Sequence, residues 1–281
     1  MFDFFSSTLH HAFLQNALLA GLLASVACGV VGSYVVARRI TYIAGGIAHS
    51  VLGGMGLANY LAAVYGWEFL HPLYGAVVAA LAAAITIAYV SLKYHEREDT
   101  IIGAIWAIGM AVGIIFIVKT PGYSQDLMSY LFGNILLVSQ QELWLLGALD
   151  IVVVVVGLAY YRQITAVCFD DEFARVRGLN VEFYYILLLC LTALTVVLLV
   201  AVVGIVMVIA LLSLPAAVAR YFTRTLAQSM IVAGLLSAFF TTFGLAFSYT
   251  PNLPAGATII VLAGITYLIV SVFVTVRKRL R

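Results

Sequence analysis

Long apolar runs, broken by charges or by Pro/Gly clusters, dominate this chain. They cover about 13–37, 43–65, 72–92, 100–118, 143–161, 183–202, 204–222, 226–248 and 256–276. Most match the ~20 residues that an α-helix needs to cross a hydrocarbon core roughly 30 Å thick. Backbone in lipid must satisfy its own hydrogen bonds, which selects helices for such runs. The pattern predicts an all-α polytopic membrane protein with eight or nine transmembrane helices, forming one transmembrane domain over residues 1–281. The run at 204–222 is the weakest, because Pro215 interrupts it, and a partial crossing there would leave eight.

Two stretches break the pattern. Residues 119–141 hold an apolar patch after a Pro-Gly turn, too short to cross, which predicts a re-entrant or interfacial segment near 120–140. Residues 162–182 are polar. Asp170, Asp171, Glu172, Phe173 and Ala174, followed by Gly178, predict a short helix with an acidic start and a glycine stop.

Charge orients the array. Arg38, Arg39, Lys93, Arg97, Arg162, Arg175, Arg177, Arg220, Arg224 and the terminal cluster from Arg277 fall at alternate span ends. Placing those ends in the cytoplasm gathers every Lys and Arg there except Lys119. The N-terminus is then outside and the C-terminus cytoplasmic, as expected for a multi-pass protein of the cell (inner) membrane with nine crossings. Composition agrees: 64% of residues are apolar and 9% charged, whereas a soluble domain carries about 25% charged residues. There is no basic tract dense enough for nucleic acid, and lipid is the expected surroundings. Cys28, Cys168 and Cys190 form no C-x-x-C pair. Cys28 and Cys190 read as small buried hydrophobes.

The second span is crowded with small residues: Gly45, Gly46, Ser50, Gly53, Gly54 and Gly56. Such faces let helix backbones approach closely in lipid. They serve ordinary helix packing or line a central axis. His49 lies beside them. An imidazole at that depth is costly. It is either satisfied by a neighbouring carbonyl or hydroxyl, or acts as a ligand for a transition metal. Asp150, inside the fifth span, reads as a hydrogen-bonded carboxyl facing another helix, or as a cation or proton relay. His10, His11, Glu68 and His71, at outer span ends, read as solvated interface groups or as collectors of a cation. Tyr34, Tyr60, Tyr65, Trp67, Trp106 and Trp144 lie mostly near span ends, as interfacial belts do.

No catalytic signature is present. A P-loop needs Gly-Lys-[Ser/Thr], but Lys93, Lys119 and Lys278 follow Leu92, Val118 and Arg277. If ATP drives this chain, another subunit supplies the nucleotide site. The chain itself is expected to bind no cofactor.

Four segments in order resemble the zinc/manganese/iron-type permeases of ATP-binding-cassette importers. They are SYVVARRITYIAGGIAHSVLGG (33–54), SYLFGNILLVS (129–139), FDDEFARVRGL (169–179) and VVGIVMVIALLSLPAAVAR (202–220). The resemblance implies a homodimeric permease working by alternating access. It also implies a separate ATPase subunit and an extracytoplasmic metal-binding protein that delivers a divalent ion. His49 would lie in the pathway, and the 170–178 helix would couple to the ATPase through Asp171, Glu172, Phe173, Ala174 and Gly178. One position departs. The family commonly has Asp four residues before the histidine, where this chain has Gly45. Losing a hard oxygen ligand favours zinc over manganese or iron. A permease for a metal chelate or siderophore, and an ion-coupled secondary transporter using Asp150 and His49, are the alternatives.

Overall fold

The computed structural model describes residues 11–67, 69–94, 98–121, 135–205, 208–249, 251 and 253–279. The helices in chain order are α1 (Ala12–Arg38), α2 (Thr41–Tyr65), α3 (Pro72–Tyr94), α4 (Glu98–Lys119), α5 (Gln140–Ala159) and α6 (Tyr161–Phe169). They continue with α7 (Asp171–Val176), α8 (Val181–Val203), α9 (Val208–Phe222), α10 (Leu226–Tyr249) and α11 (Ala255–Arg279). Among the described residues, eight are long and apolar enough to cross a membrane: α1, α2, α3, α4, α5, α8, α10 and α11. The protein is an all-helical polytopic membrane protein.

Local chemistry sets the helix boundaries. Ser139 and Glu142 form a reciprocal capping box that starts α5. This satisfies two of the N–H groups that a helix start leaves orphaned. Arg39 turns the chain from α1 into α2 with φ 65, and Gly66 ends α2 with φ 70. Within α1, Cys28–Gly32 widens to a π-helical turn. Gly29 and Gly32 in that turn press on the backbones of Met230 and Leu212, so the turn seats α9 and α10 against α1.

The centre of the bundle is α1, α2 and α8, whose side chains are mostly buried. α2 lies against α3 and α4, α8 against α3 and α5, and α10 against α9, α11 and α1. Helices α5 and α11 form a rim. They expose Ile151, Val152 and Val155, and Val261, Leu268, Val272 and Phe273, an apolar surface suited to acyl chains.

Relative sidedness follows from two contacts. The Arg38 guanidinium holds the Asp171 carboxylate, and Arg220 donates to the Val36 carbonyl at 3.2 Å. The ends of α1 and α9 and the whole of α7 therefore share one face, called here the basic face. Because α8 starts beside α7 and is 23 residues long, it ends at the opposite face, and α9 returns. The expected span 204–222 is corrected to a 15-residue helix that starts at Val208, after α8 has stopped at Gly204. Fifteen residues rise only about 22 Å, so α9 alone is shorter than a crossing.

The polar stretch 162–182 contains an amphipathic helix, α6, that its composition does not announce. The expected re-entrant segment near 120–140 lies largely outside the described residues. Within them that region holds a single 3-10 turn, Ile135–Leu137. Two aromatics expected at the interface are inside instead. Tyr34 is fully buried and donates to the Gly157 carbonyl at 2.9 Å, and Trp106 packs on His49.

Candidate functional site

α2 contacts α4 along its whole length because its facing positions are small. A Cβ on Gly53 would stand 3.0 Å from the Gly109 carbonyl oxygen, and one on Gly56 2.8 Å from that of Gly113. A Cβ on Gly54 would land on the Gly75 carbonyl of α3. Gly45, Gly46, Gly53 and Gly54 thus have a steric role, and Ser50 ties its hydroxyl to the Ile47 carbonyl at 2.7 Å. A carbonyl this close needs a partner helix without side chains at that level.

His49 is 7% exposed. Its Nδ1 lies 2.8 Å from the Gly45 carbonyl oxygen. A carbonyl only accepts, so Nδ1 carries the proton and, in the neutral ring, Nε2 carries the lone pair that binds metals. The imidazole stacks on the Trp106 indole, with centroids 3.9 Å apart and planes 20° apart. A Cβ at position 45 would meet the Ile209 Cδ1 at 2.6 Å and the Trp106 Cζ3 at 3.5 Å. A side chain at position 45 would therefore have to displace the tip of Ile209 and would pack against Trp106. Sequence reasoning missed Trp106. Its distance from both ends of its run was the available signal.

The described residues bring no three His, Cys, Asp or Glu side chains together in a metal-binding group. His11 and His71 lie far along the chain fold from His49, at the face opposite the basic one; His10 and Glu68 fall outside the described residues. Asp150 is 6% exposed, and its Oδ1 has no hydrogen-bond partner. It lies in α5, away from the α2–α4 contact.

The basic face carries α7. Asp170 caps it by accepting from the Phe173 N–H at 2.9 Å. At its end the Leu179 N–H reaches the Ala174 carbonyl and the Gly178 N–H that of Arg175, with Gly178 at φ 78, the Schellman arrangement. Arg38 fixes the helix to the bundle with two bonds to Asp171, of 2.9 and 2.6 Å, and one to the Val167 carbonyl of 2.8 Å. Ala174 is fully buried against the bundle, while Glu172 is exposed, Phe173 is 49% exposed and Val176 is 87% exposed. Asp171, Ala174 and Gly178 therefore hold the helix, and Glu172 and Phe173 face outward. Phe169, at the end of α6, and Phe173 and Val176 of α7 are exposed apolar side chains, and the Arg177 guanidinium covers the Phe173 ring at 4.7 Å. Beneath, burial pushes the Cys168 thiol up to about 12, so it is a neutral packing group.

A buried histidine on a glycine-packed helix, with a short helix stapled to one face by an ion pair, is the arrangement the fold presents. The model of the ABC 3 transport family matches residues 10–274. The chain belongs to that family, the metal-type permeases of ATP-binding-cassette importers, in which hydrolysis resides in a separate ATPase subunit. The chain is 41% identical to a probable metal transport system membrane protein of Chlamydia trachomatis, covering 90% of this chain and 86% of the relative. It is 32% identical to a manganese transport system membrane protein of Listeria monocytogenes, covering 96% and 94%. The fold matches PsaBC from Streptococcus pneumoniae, solved in complex with a Fab, with a TM-score of 0.84, 30% identity, and 95% and 94% coverage.

Proposed function

We propose that this permease moves a divalent transition-metal ion inward across the cell (inner) membrane. His49 is its ligand in the pathway, and ATP hydrolysis in a partner subunit drives alternating access. The observation that carries the reading is the imidazole held by Gly45 with Nε2 left as the metal-binding nitrogen. One chain supplies one such ligand, so two copies facing each other at His49 form the site, which makes the working unit a homodimer. The ATPase docks on the exposed Phe173 and Val176 of α7, with Glu172 beside them. On this reading the basic face, and with it the C-terminus, is cytoplasmic, in keeping with the positive-inside bias. An extracytoplasmic metal-binding protein delivers the ion to the other face.

Zinc is favoured by the chemistry of the site. Gly45 supplies no carboxylate, and the tip of Ile209 lies where a Cβ would be, so the site offers imidazole without the hard oxygen that Mn²⁺ prefers. Manganese is the second reading, supported by the manganese-transport names of relatives such as the Listeria protein. The deciding experiment is ATP-driven uptake of Zn²⁺ and Mn²⁺ in competition, with permease and ATPase co-reconstituted. Zn²⁺ is expected to win, and Gly45→Asp combined with Ile209→Ala is expected to shift the preference toward Mn²⁺ by roughly tenfold or more, which is about 1.4 kcal/mol. A wild-type preference for Mn²⁺ selects the second reading. Uptake of neither ion removes both.

A further inference from the structure

Tyr42, Gly45 and His49 lie at three- and four-residue spacing along α2, and Asp99, Gly103 and Trp106 do so along α4. Each trio shares a helix face. The two helices run in the same direction, since Gly46 meets Ile102, Gly45 meets Trp106, and Ser50 meets Gly109. Between the trios, toward the basic face, lies a cavity of about 610 Å³ lined by Tyr42, Asp99, Gly103 and Trp106. Gly103 has nothing within 4 Å of the place a Cβ would take, so this wall is open. The Trp106 indole closes the inner end by stacking on His49, and the Tyr42 ring leans on it with centroids 6.3 Å apart. Asp99 stands two helical turns nearer the basic face, about 10 Å of rise from Trp106. A second cavity, of about 550 Å³ between α2, α3 and α4, is lined almost wholly by apolar groups such as Leu57, Val78, Ile108 and Val112. It suits an acyl chain or a helix better than a hydrated ion.

We propose that the cavity bounded by Asp99 and Trp106 is the cytoplasmic exit vestibule for the cation, with Trp106 as the gate between it and His49 and Asp99 as a second cation station. The proposal rests on the reading of the chain as a metal permease. An ion on Nε2 of His49 that leaves toward the basic face meets the indole first. Beyond it, the same face gathers Arg38, Arg39 and Lys93, whose charges oppose the passage of a dication. A carboxylate at the mouth offsets that repulsion where the ion must cross it. Gly103 keeps the way between gate and carboxylate clear. The competing role for Asp99 is local: an acid in the first turn of α4 complements the helix dipole. That role affects the stability of α4 and leaves ion flux alone.

The test uses the permease with its ATPase in liposomes, and Mn²⁺ and Zn²⁺ as probes. Trp106→Ala is expected to keep hydrolysing ATP yet accumulate the ion at least about fivefold less, because an ungated path lets it run back, while Trp106→Phe retains accumulation. Asp99→Asn is expected to lower turnover about threefold or more with KM at the outer side unchanged, the split that marks a step after binding. A Trp106→Ala complex that hydrolyses ATP and accumulates ions like the wild type overturns the gate. An Asp99→Asn complex with wild-type turnover overturns the station. In either case, continued dependence of uptake on His49 leaves the metal-permease reading standing, whereas uptake indifferent to His49 removes that reading itself. A second arm does not depend on removing the indole. Gly103→Cys fits the open wall and is expected to react faster with a cationic than with an anionic thiol reagent added from the basic face. Adding Asp99→Asn is expected to erase the difference. Equal rates with Asp99 present overturn the proposal.

Discussion

The surroundings of His49 and those of Phe173 are held in place by different forces. Along α2 the helices come together until glycine faces carbonyl, as Gly53 does Gly109 and Gly56 does Gly113, and His49 and Ser50 bond to the helix's own carbonyls. Along α7 the packing surface is one buried alanine, and the helix is held by a bidentate guanidinium–carboxylate pair, a side-chain N-cap and a glycine C-cap. In lipid there is no hydrophobic drive between helices, so fit decides. At the water-facing end charged hydrogen bonds persist because they are only partly screened: Arg38 and Asp171 side chains are 23% and 38% exposed. The α2–α4 contact should therefore fail when volume is added, and α7 when charge or a cap is removed.

Gly54→Leu breaks the first half of that contrast most strongly. The new side chain runs into the Gly75 backbone, where neither helix has a flexible group to move. A loss of about 3 kcal/mol or more is expected, read as a fall in the thermal unfolding temperature in detergent. Arg38→Ala breaks the second half. It leaves Asp171 and the Val167 carbonyl without their donor, at an expected cost of about 2 kcal/mol. The ATPase should lose stimulation by the permease, while metal binding at His49, followed by calorimetry, persists. Phe173→Ala sharpens the comparison, since it leaves the fold alone and should weaken ATPase binding by about 1–2 kcal/mol, measured as a change in Kd. Gly178→Ala strains a residue at φ 78 and should cost about 1 kcal/mol, seen as faster amide exchange over α7. Gly103→Ala, at a glycine with open space around it, should change the unfolding temperature by no more than the equivalent of about 0.5 kcal/mol. A destabilisation equal to that of Gly54→Leu would show that steric crowding along α2 is not what distinguishes these glycines.

Much of this was readable from the chain because the membrane imposes a simple code. Apolar run lengths located eight crossings to within a few residues, and the arginines and lysines grouped the ends that the Arg38–Asp171 and Arg220–Val36 contacts bring together. The acidic run and Gly178 marked α7. The unreadable parts are those where three dimensions override the linear pattern. The π turn at Cys28–Gly32 exists because Gly29 and Gly32 must admit two other backbones, a demand made by α9 and α10, almost two hundred residues away. Pro215 suggested where the seventh run was weak, but the break falls at Gly204, where φ 81 closes α8 to further extension. Trp106 groups with the interfacial aromatics although it lies inside its run; its stacking on His49 depends on the glycines of α2, which bring α4 within reach. Asp171 and Ala174 were read as contacts for a partner, yet one is spent on Arg38 and the other is buried. Sequence shows that a short helix is charged, and only the fold shows which of its charges are already paired.

The most direct measurement is ATP-driven uptake of Zn²⁺ and Mn²⁺ by co-reconstituted permease and ATPase carrying His49→Ala, alongside His49→Gln to preserve much of the side-chain volume against Trp106. Both variants should fold and hydrolyse ATP, and both should lose uptake by roughly a hundredfold, as the removal of a ligand from a site with few others demands. Uptake of either ion at the wild-type rate in both variants would contradict the placement of the cation at His49.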